Sequence, residues 1–165
     1  MNCTVKRTSS MWRLMVTGLV LLGAAGVAQA EATILEVTGR IAGGGAKLDR
    51  AALEALPPAA LVTSTVVTDG QHHFTGFLMR DLLNHLDAKG DSVTAVALND
   101  YAVEIPISDF YEYDVIVAFD MDGQPLTRDD KGPLWIVYPR DDHQALQDIR
   151  FDYRWVWQLQ LLDVQ

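Results

Sequence analysis

Cysteine is almost missing from this chain: Cys3 is the only one in 165 residues. A disulfide framework, a cysteine zinc site and a thiolate nucleophile beyond Cys3 are therefore excluded. Basic residues are also scarce, 13 lysines and arginines against 22 acids. That balance argues against nucleic acid or an anionic membrane as the main partner, since both require a basic face. There is no phosphate loop, no dinucleotide fingerprint, no Gly-x-Ser-x-Gly and no His-Glu-x-x-His. His72 and His73 are adjacent, so on a strand they face opposite sides and cannot chelate one ion together; His85 and His143 lie elsewhere. The acidic groups Asp109, Glu112, Asp114 and Asp120, Asp122, Asp129, Asp130 lack the spacing of a calcium loop, and solvated turns are the better reading.

One apolar run stands out, residues 14–27, and it is shorter than the roughly 20 residues that span a bilayer. Lys6, Arg7 and Arg13 precede it with no acid before Glu31, and Ala28-Gln29-Ala30 follows with the small-x-small pattern of a signal peptidase site. Residues 1–30 thus read as a cleaved secretory leader, the rival being a retained anchor. Cleavage removes Cys3 and three basic residues, leaving 10 against 22 acids, a net charge of −12. The remaining chain of about 135 residues is long enough to bury a core as a single domain. The expected location is the periplasm.

After residue 31 the pattern is of many short strands and one clear helix. Strands are expected over 33–39, 61–68, 71–75, 93–98, 101–107, 115–119, 134–138 and 155–162, from alternation or β-branched runs. Gly43-Gly44-Gly45 turns the chain, Asp69-Gly70 reads as a hairpin signal, and Met121-Asp122-Gly123 as a tight turn. Asp49 caps a short helix over 50–56 that Pro57-Pro58 stops. Phe77, Leu78, Leu82, Leu83 and Leu86 sit at helical spacing, with Gly90 as the end. Ser108 opens a short acidic turn or helix through Asp114. The elements are not regularly βαβ, so the fold class is α+β.

Four blocks resemble the sulfite-oxidase-type molybdopterin-binding domain, in that family's order. Phe74-Thr75-Gly76 followed by Leu78, Leu82 and Leu83 is similar to its aromatic-x-Gly-x-x-Leu stretch. Asn99-Asp100-Tyr101 running into Ile105-Pro106 resembles its Asp-Tyr…Ile-Pro segment. Residues 117–126, ending in Asp122-Gly123-Gln124-Pro125-Leu126, resemble its hairpin. Lys131-Gly132-Pro133-Leu134 with Ile136-Val137-Tyr138-Pro139 matches its Gly-x-Pro…Val-Val-Pro strand. The resemblance covers about residues 65–162 and implies a mixed, short-stranded pterin-holding fold.

The departures carry as much meaning. The molybdenum enzymes of that family bind their metal through a cysteine placed before the aromatic-x-Gly block, and here residues 63–73 hold none. The chain is also roughly half their length and lacks their dimerisation domain. It resembles more closely the short, exported, cysteine-free pterin-binding relatives (PruR-type proteins). That resemblance implies a pterin as ligand with no molybdenum, and as partner the periplasmic domain of a membrane-bound cyclic-di-GMP enzyme.

A pterin offers a flat bicyclic ring, two parallel N–H donors on its 2-amino edge and a 4-oxo acceptor. An aromatic or guanidinium plane suits the ring, and a carboxylate suits the edge. Asp100 and Asn99 are the expected edge residues, and Tyr101 the rim, where the family's active-site tyrosine falls. Arg140 or Arg154 suits the oxo group, and Trp135, Tyr138, Trp155 or Trp157 the stack. Each has a plainer reading as well. Trp135 lies among apolar neighbours and fits a core, Trp155 and Trp157 fit the closing of a sheet, and Asp100 fits turn chemistry. Two functions follow, a non-enzymatic pterin-sensing module or a molybdopterin-dependent oxidoreductase domain, and the missing cysteine favours the first.

Overall fold

The computed structural model describes Met1 and residues 32–165. The expected leader and its cleavage point lie, Met1 apart, outside the described residues. Among the described residues no helix is long and apolar enough to cross a membrane.

Two five-stranded sheets form the framework. The first contains β1 (Leu35–Gly39), β2 (Gly45–Leu48), β5 (Ser92–Ala97), β6 (Ala102–Pro106) and β10 (Leu159–Val164), in the order β2-β1-β10-β5-β6. Only the β1–β10 pairing is parallel. The second contains β3 (Pro58–Ser64), β4 (Gln71–Leu78), β7 (Ile116–Met121), β8 (Gln124–Pro125) and β9 (Trp135–Val137). Its ladder runs β3-β4-β7, and β8 and β9 share the far edge of β7. Four short helices, α1 (Arg50–Glu54), α2 (Met79–His85), α3 (Ile107–Glu112) and α4 (Ile149–Asp152), complete an α+β fold, as the short-stranded pattern predicts.

Alternation explains the first sheet. Val93, Ala95 and Ala97 of β5 are buried while Ser92, Thr94 and Val96 are half-buried, and Val103 and Ile105 of β6 turn inward between exposed Ala102 and Glu104. β9 is different, with Trp135, Ile136 and Val137 all fully buried, as a strand covered on both faces must be. Asp49 caps α1 by accepting from the Ala52 N–H at 2.8 Å.

Several boundaries differ from the sequence expectation. Phe77 and Leu78, at helical spacing, instead end β4, because Phe77 is paired on both sides, with Pro58 and Val117. Ladder hydrogen bonds on two flanks outweigh a helical pattern. α2 therefore begins at Met79, and the residue in left-handed conformation beyond its end is Asp87 (φ 50°), not Gly90. Gly90 is small for another reason, since a Cβ there would lie 2.3 Å from the Gln165 carbonyl oxygen. The strand expected over 61–68 runs from Pro58 to Ser64, and residues 65–70 form a loop. β2 had no sequence signal beyond its glycines. The final strand starts at Leu159 rather than 155, because residues 155–158 cross between the sheets. Ile136 N–H donates to the Val156 carbonyl in the second sheet, and Leu98 N–H donates to the Gln158 carbonyl in the first, each at 2.9 Å.

Candidate functional site

That crossing segment forms one wall of a cleft of about 320 Å³, a volume typical of small-ligand sites. A second wall is the β5–β6 turn, with Ala97, Asn99 and Tyr101, and a third is the loop after β3, with Val66 and Val67. The end of α4 contributes Asp152 and Tyr153, and the crossing segment contributes Trp155, Val156 and Trp157. Aromatic faces therefore dominate. Tyr101, Tyr153 and Trp157 keep 44%, 47% and 38% of their surface exposed at the rim, and Trp155 is buried at the back. A smaller depression of about 230 Å³, lined by Val67, Asp130, Lys131 and Trp157, adjoins it through Val67 and Trp157.

Local chemistry sets each wall. In the turn, Asn99 Oδ1 accepts from the Tyr101 N–H at 3.1 Å, and Asp100 takes a left-handed φ of 63°, which a short polar side chain tolerates. The Tyr101 hydroxyl then donates to the Tyr153 carbonyl at 2.9 Å, tying two walls together. The loop is closed internally by Thr65 and Thr68, whose hydroxyls lie 2.7 Å apart. At its base, Asp141 accepts from the Ser64 N–H, the Ser64 hydroxyl and the Gln71 amide at 2.7, 2.6 and 2.8 Å. The Ser64 hydroxyl first, and then Gln71, hold the Asp141 carboxyl below the usual carboxylate range. A carboxyl depressed on folding stabilises fully above its unfolded pKa, about 3.9, and loses that contribution as pH falls through the lower folded value. Asp141→Asn should therefore flatten the acid side of the stability curve below about pH 4. Urea unfolding between neutral and acid pH checks this, and a variant curve parallel to that of the parent would refute it.

Behind the crossing segment lies a buried ionic group. Asp109, 6% exposed in the first turn of α3, accepts from the Tyr138 hydroxyl at 3.0 Å and from Arg154 Nη1. Burial first, and then the Asp109 charge, hold the Tyr138 phenol well above its usual pKa, so it remains a donor. The Arg154 guanidinium also lies 4.7 Å from the Phe151 ring centre.

Of the sequence candidates, the structure brings Asn99, Tyr101, Trp155 and Trp157 together in the cleft. Asp100 lies on the same turn but does not line it. Its N–H closes the turn onto the Ala97 carbonyl at 3.1 Å. Trp135 and Tyr138 are fully buried, the former edge-on to Phe74 at 5.4 Å. Arg154 is engaged by Asp109, and Arg140, half-buried beyond β9, is not part of the lining. Asp152, Tyr153, Val66 and Val67 were not singled out from the sequence. The run Asp152-Tyr-Arg-Trp-Val-Trp157, an acid beside three aromatics, was the signal available.

The lining suits a flat heteroaromatic ring and does not suit a protein-bound molybdenum. No thiol or imidazole is among the cleft residues, and the loop in which the resemblance places the metal-binding cysteine supplies Val66 and Val67. Among the described residues no group of three or more His, Cys, Asp or Glu is placed to hold a metal ion. His72 pairs with Asp122 at 2.7 Å on the β4–β7 side, away from the cleft lining.

Comparison with known proteins agrees with this architecture. The crystal structure of the sulfane dehydrogenase SoxCD from Paracoccus pantotrophus is similar, with a TM-score of 0.61 over 79% of this chain at 15% identity. At that identity the likeness is one of fold, and this chain covers 37% of the SoxCD chain. Comparison with curated proteins finds no match. Residues 2–141 match the oxidoreductase molybdopterin binding domain, a match that ends before the crossing segment. With that match spanning most of its length, and with the sulfite-oxidase-like fold described above, this chain belongs to the oxidoreductase molybdopterin-binding domain family.

Proposed function

We propose that the protein binds a pterin non-catalytically, outside the cytoplasm, and conveys its ligand state to the periplasmic part of a membrane-bound cyclic-di-GMP enzyme. The observation that carries the binding step is the cleft itself. Aromatic side chains from two walls surround a space of ligand size, and residues 63–73, the stretch in which the family's enzymes carry their metal-binding cysteine, supply only Val66 and Val67 to its lining. A pterin ring stacks on such faces without needing a metal ligand from the protein. Export and the signalling partner rest on the leader-like residues 1–30 and on the resemblance to short exported relatives.

Family membership favours a second reading, a domain that carries a complete molybdenum cofactor and acts in oxidoreduction. Protein purified from the cell envelope of its own host distinguishes the two. Mass spectrometry of the small molecules released on denaturation should show a pterin, with elemental analysis well short of one molybdenum per chain. Molybdenum near one per chain, with a released molybdopterin, would establish the second reading instead. Calorimetric titration of ligand-free protein with reduced and oxidised pterins provides the direct test, and heat from neither would end the pterin proposal.

A further inference from the structure

Five buried side-chain atoms among the described residues lack any hydrogen-bond partner, and two of them, Asp152 Oδ1 and Trp155 Nε1, belong to residues lining the cleft. Buried polar atoms are nearly always paired in folded proteins, so each orphan requires an account. These two are of opposite sense, one an acceptor and one a donor. They lie three residues apart on a turn, where Arg154 N–H closes onto the Phe151 carbonyl at 3.0 Å. Asp152 is also the only charged residue in the lining, and no described residue forms an ion pair with it. Asp152 is half-buried, but its Oδ1 is buried, and a buried carboxylate oxygen left without a partner is costly to the fold. A ligand with matching groups would relieve that cost.

Resting on the pterin reading above, we propose that Asp152 and Trp155 form the specificity edge of the site. The Asp152 carboxylate accepts the 2-amino and ring N–H donors of a 2-amino-4-oxo pteridine, and the Trp155 indole N–H donates to its oxo side. The pairing follows from inventory. An ionised carboxylate only accepts, an indole only donates, and the aminopyrimidine edge presents parallel donors beside an acceptor. The ligand class is therefore a pteridine that retains the 2-amino group. A 2,4-dioxo pteridine (lumazine) would set an oxygen against the carboxylate and be rejected, because discrimination is strongest where a mismatch leaves buried polar groups unpaired.

Calorimetric titration of the full chain with a pterin and with lumazine tests this on the parent protein and on Asp152→Asn, Trp155→Phe and Asp100→Asn. The parent should prefer the pterin. Asp152→Asn should lose about 10- to 100-fold in pterin affinity, the worth of a charge-assisted hydrogen bond, and most of the preference over lumazine. Its melting temperature should hold or rise, because no bond of the fold is lost and the charge on a costly unpaired oxygen is removed. Trp155→Phe keeps the ring plane and should lose about tenfold or less. A parent that binds both pteridines equally overturns the assignment, whatever the variants do. So does an affinity loss in Asp100→Asn with none in Asp152→Asn, which would return the edge to the β5–β6 turn. A parent that binds neither pteridine overturns the pterin reading and this edge with it.

Discussion

Asp109→Ala should destabilise the protein by about 3–5 kcal/mol, the usual cost of removing one partner from a buried ion pair. The side chains of Arg154 and Asp109 retain 15% and 9% of their exposure, so water can do little for the charge left behind. The Tyr138 hydroxyl loses its acceptor in the same step, and an unsatisfied buried donor adds to the loss. The urea midpoint should fall with the slope unchanged, as for a mutation that alters stability alone. The Asp109→Ala, Arg154→Met double variant should recover part of the loss, because no orphaned charge remains. Arg154 sits between Tyr153 and Trp155, so ligand affinity in Asp109→Ala should fall as well. A loss near that of a surface ion pair, under about 1 kcal/mol, would show that the group is wet in solution.

Gly76→Ala should be as damaging, for a purely steric reason. A Cβ at this position would lie 2.0 Å from the Val117 carbonyl oxygen and 2.8 Å from Ala118 Cα. Both are backbone atoms of the neighbouring strand, at the point where the β4–β7 register shifts between Thr75 and Gly76. A flexible side chain would move aside, but a paired strand cannot. Overpacking costs about 1–3 kcal/mol where the surroundings relax, and here about 3 kcal/mol or more is expected. Gly45→Ala is the matched control: its φ of −177° is ordinary extended backbone, and the nearest atom to a new Cβ is 3.9 Å away. That variant should stay within about 0.5 kcal/mol of the parent. Soluble yield and urea midpoints for the pair provide the comparison, and equal behaviour would remove the steric account. The glycine of the aromatic-x-Gly block is thus explained by strand approach, and it does not line the cleft.

Much of the framework was legible because it depends on short-range pattern. The alternation of β5 and β6, the Asp49 cap and the Asp122-Gly123 turn are each decided within a few residues. Phe77 and Leu78 misled for the converse reason: their helical spacing is real, but Pro58 and Val117 flank Phe77 from distant parts of the chain. Trp155 and Trp157 show the same limit. Spacing of two predicts a common face, whereas one is 3% and the other 38% exposed, because no regular strand holds them: Trp157 meets Trp135 of β9 only as an isolated bridge, and the chain passes to the first sheet at Gln158. Asp100 was the conspicuous carboxylate beside the motif tyrosine, yet its left-handed turn carries it off the cleft lining.

By itself the sequence determined the α+β class, the family blocks, the absence of a thiolate after residue 31 and the acidic balance. These are properties of residue type, spacing and count, and they hold whatever the chain's final path. Tertiary structure alone decided which side chains meet. Val66, Asn99, Tyr101 and Trp155 converge from three distant segments, while Asp109 gathers Tyr138 and Arg154 behind them. Such meetings follow from the pairing of β1 with β10 and of β4 with β7, where partners lie 38 to 125 residues apart. Hydrogen-bond partners so far apart are set by the burial of both sheets together, which no local window of residues contains.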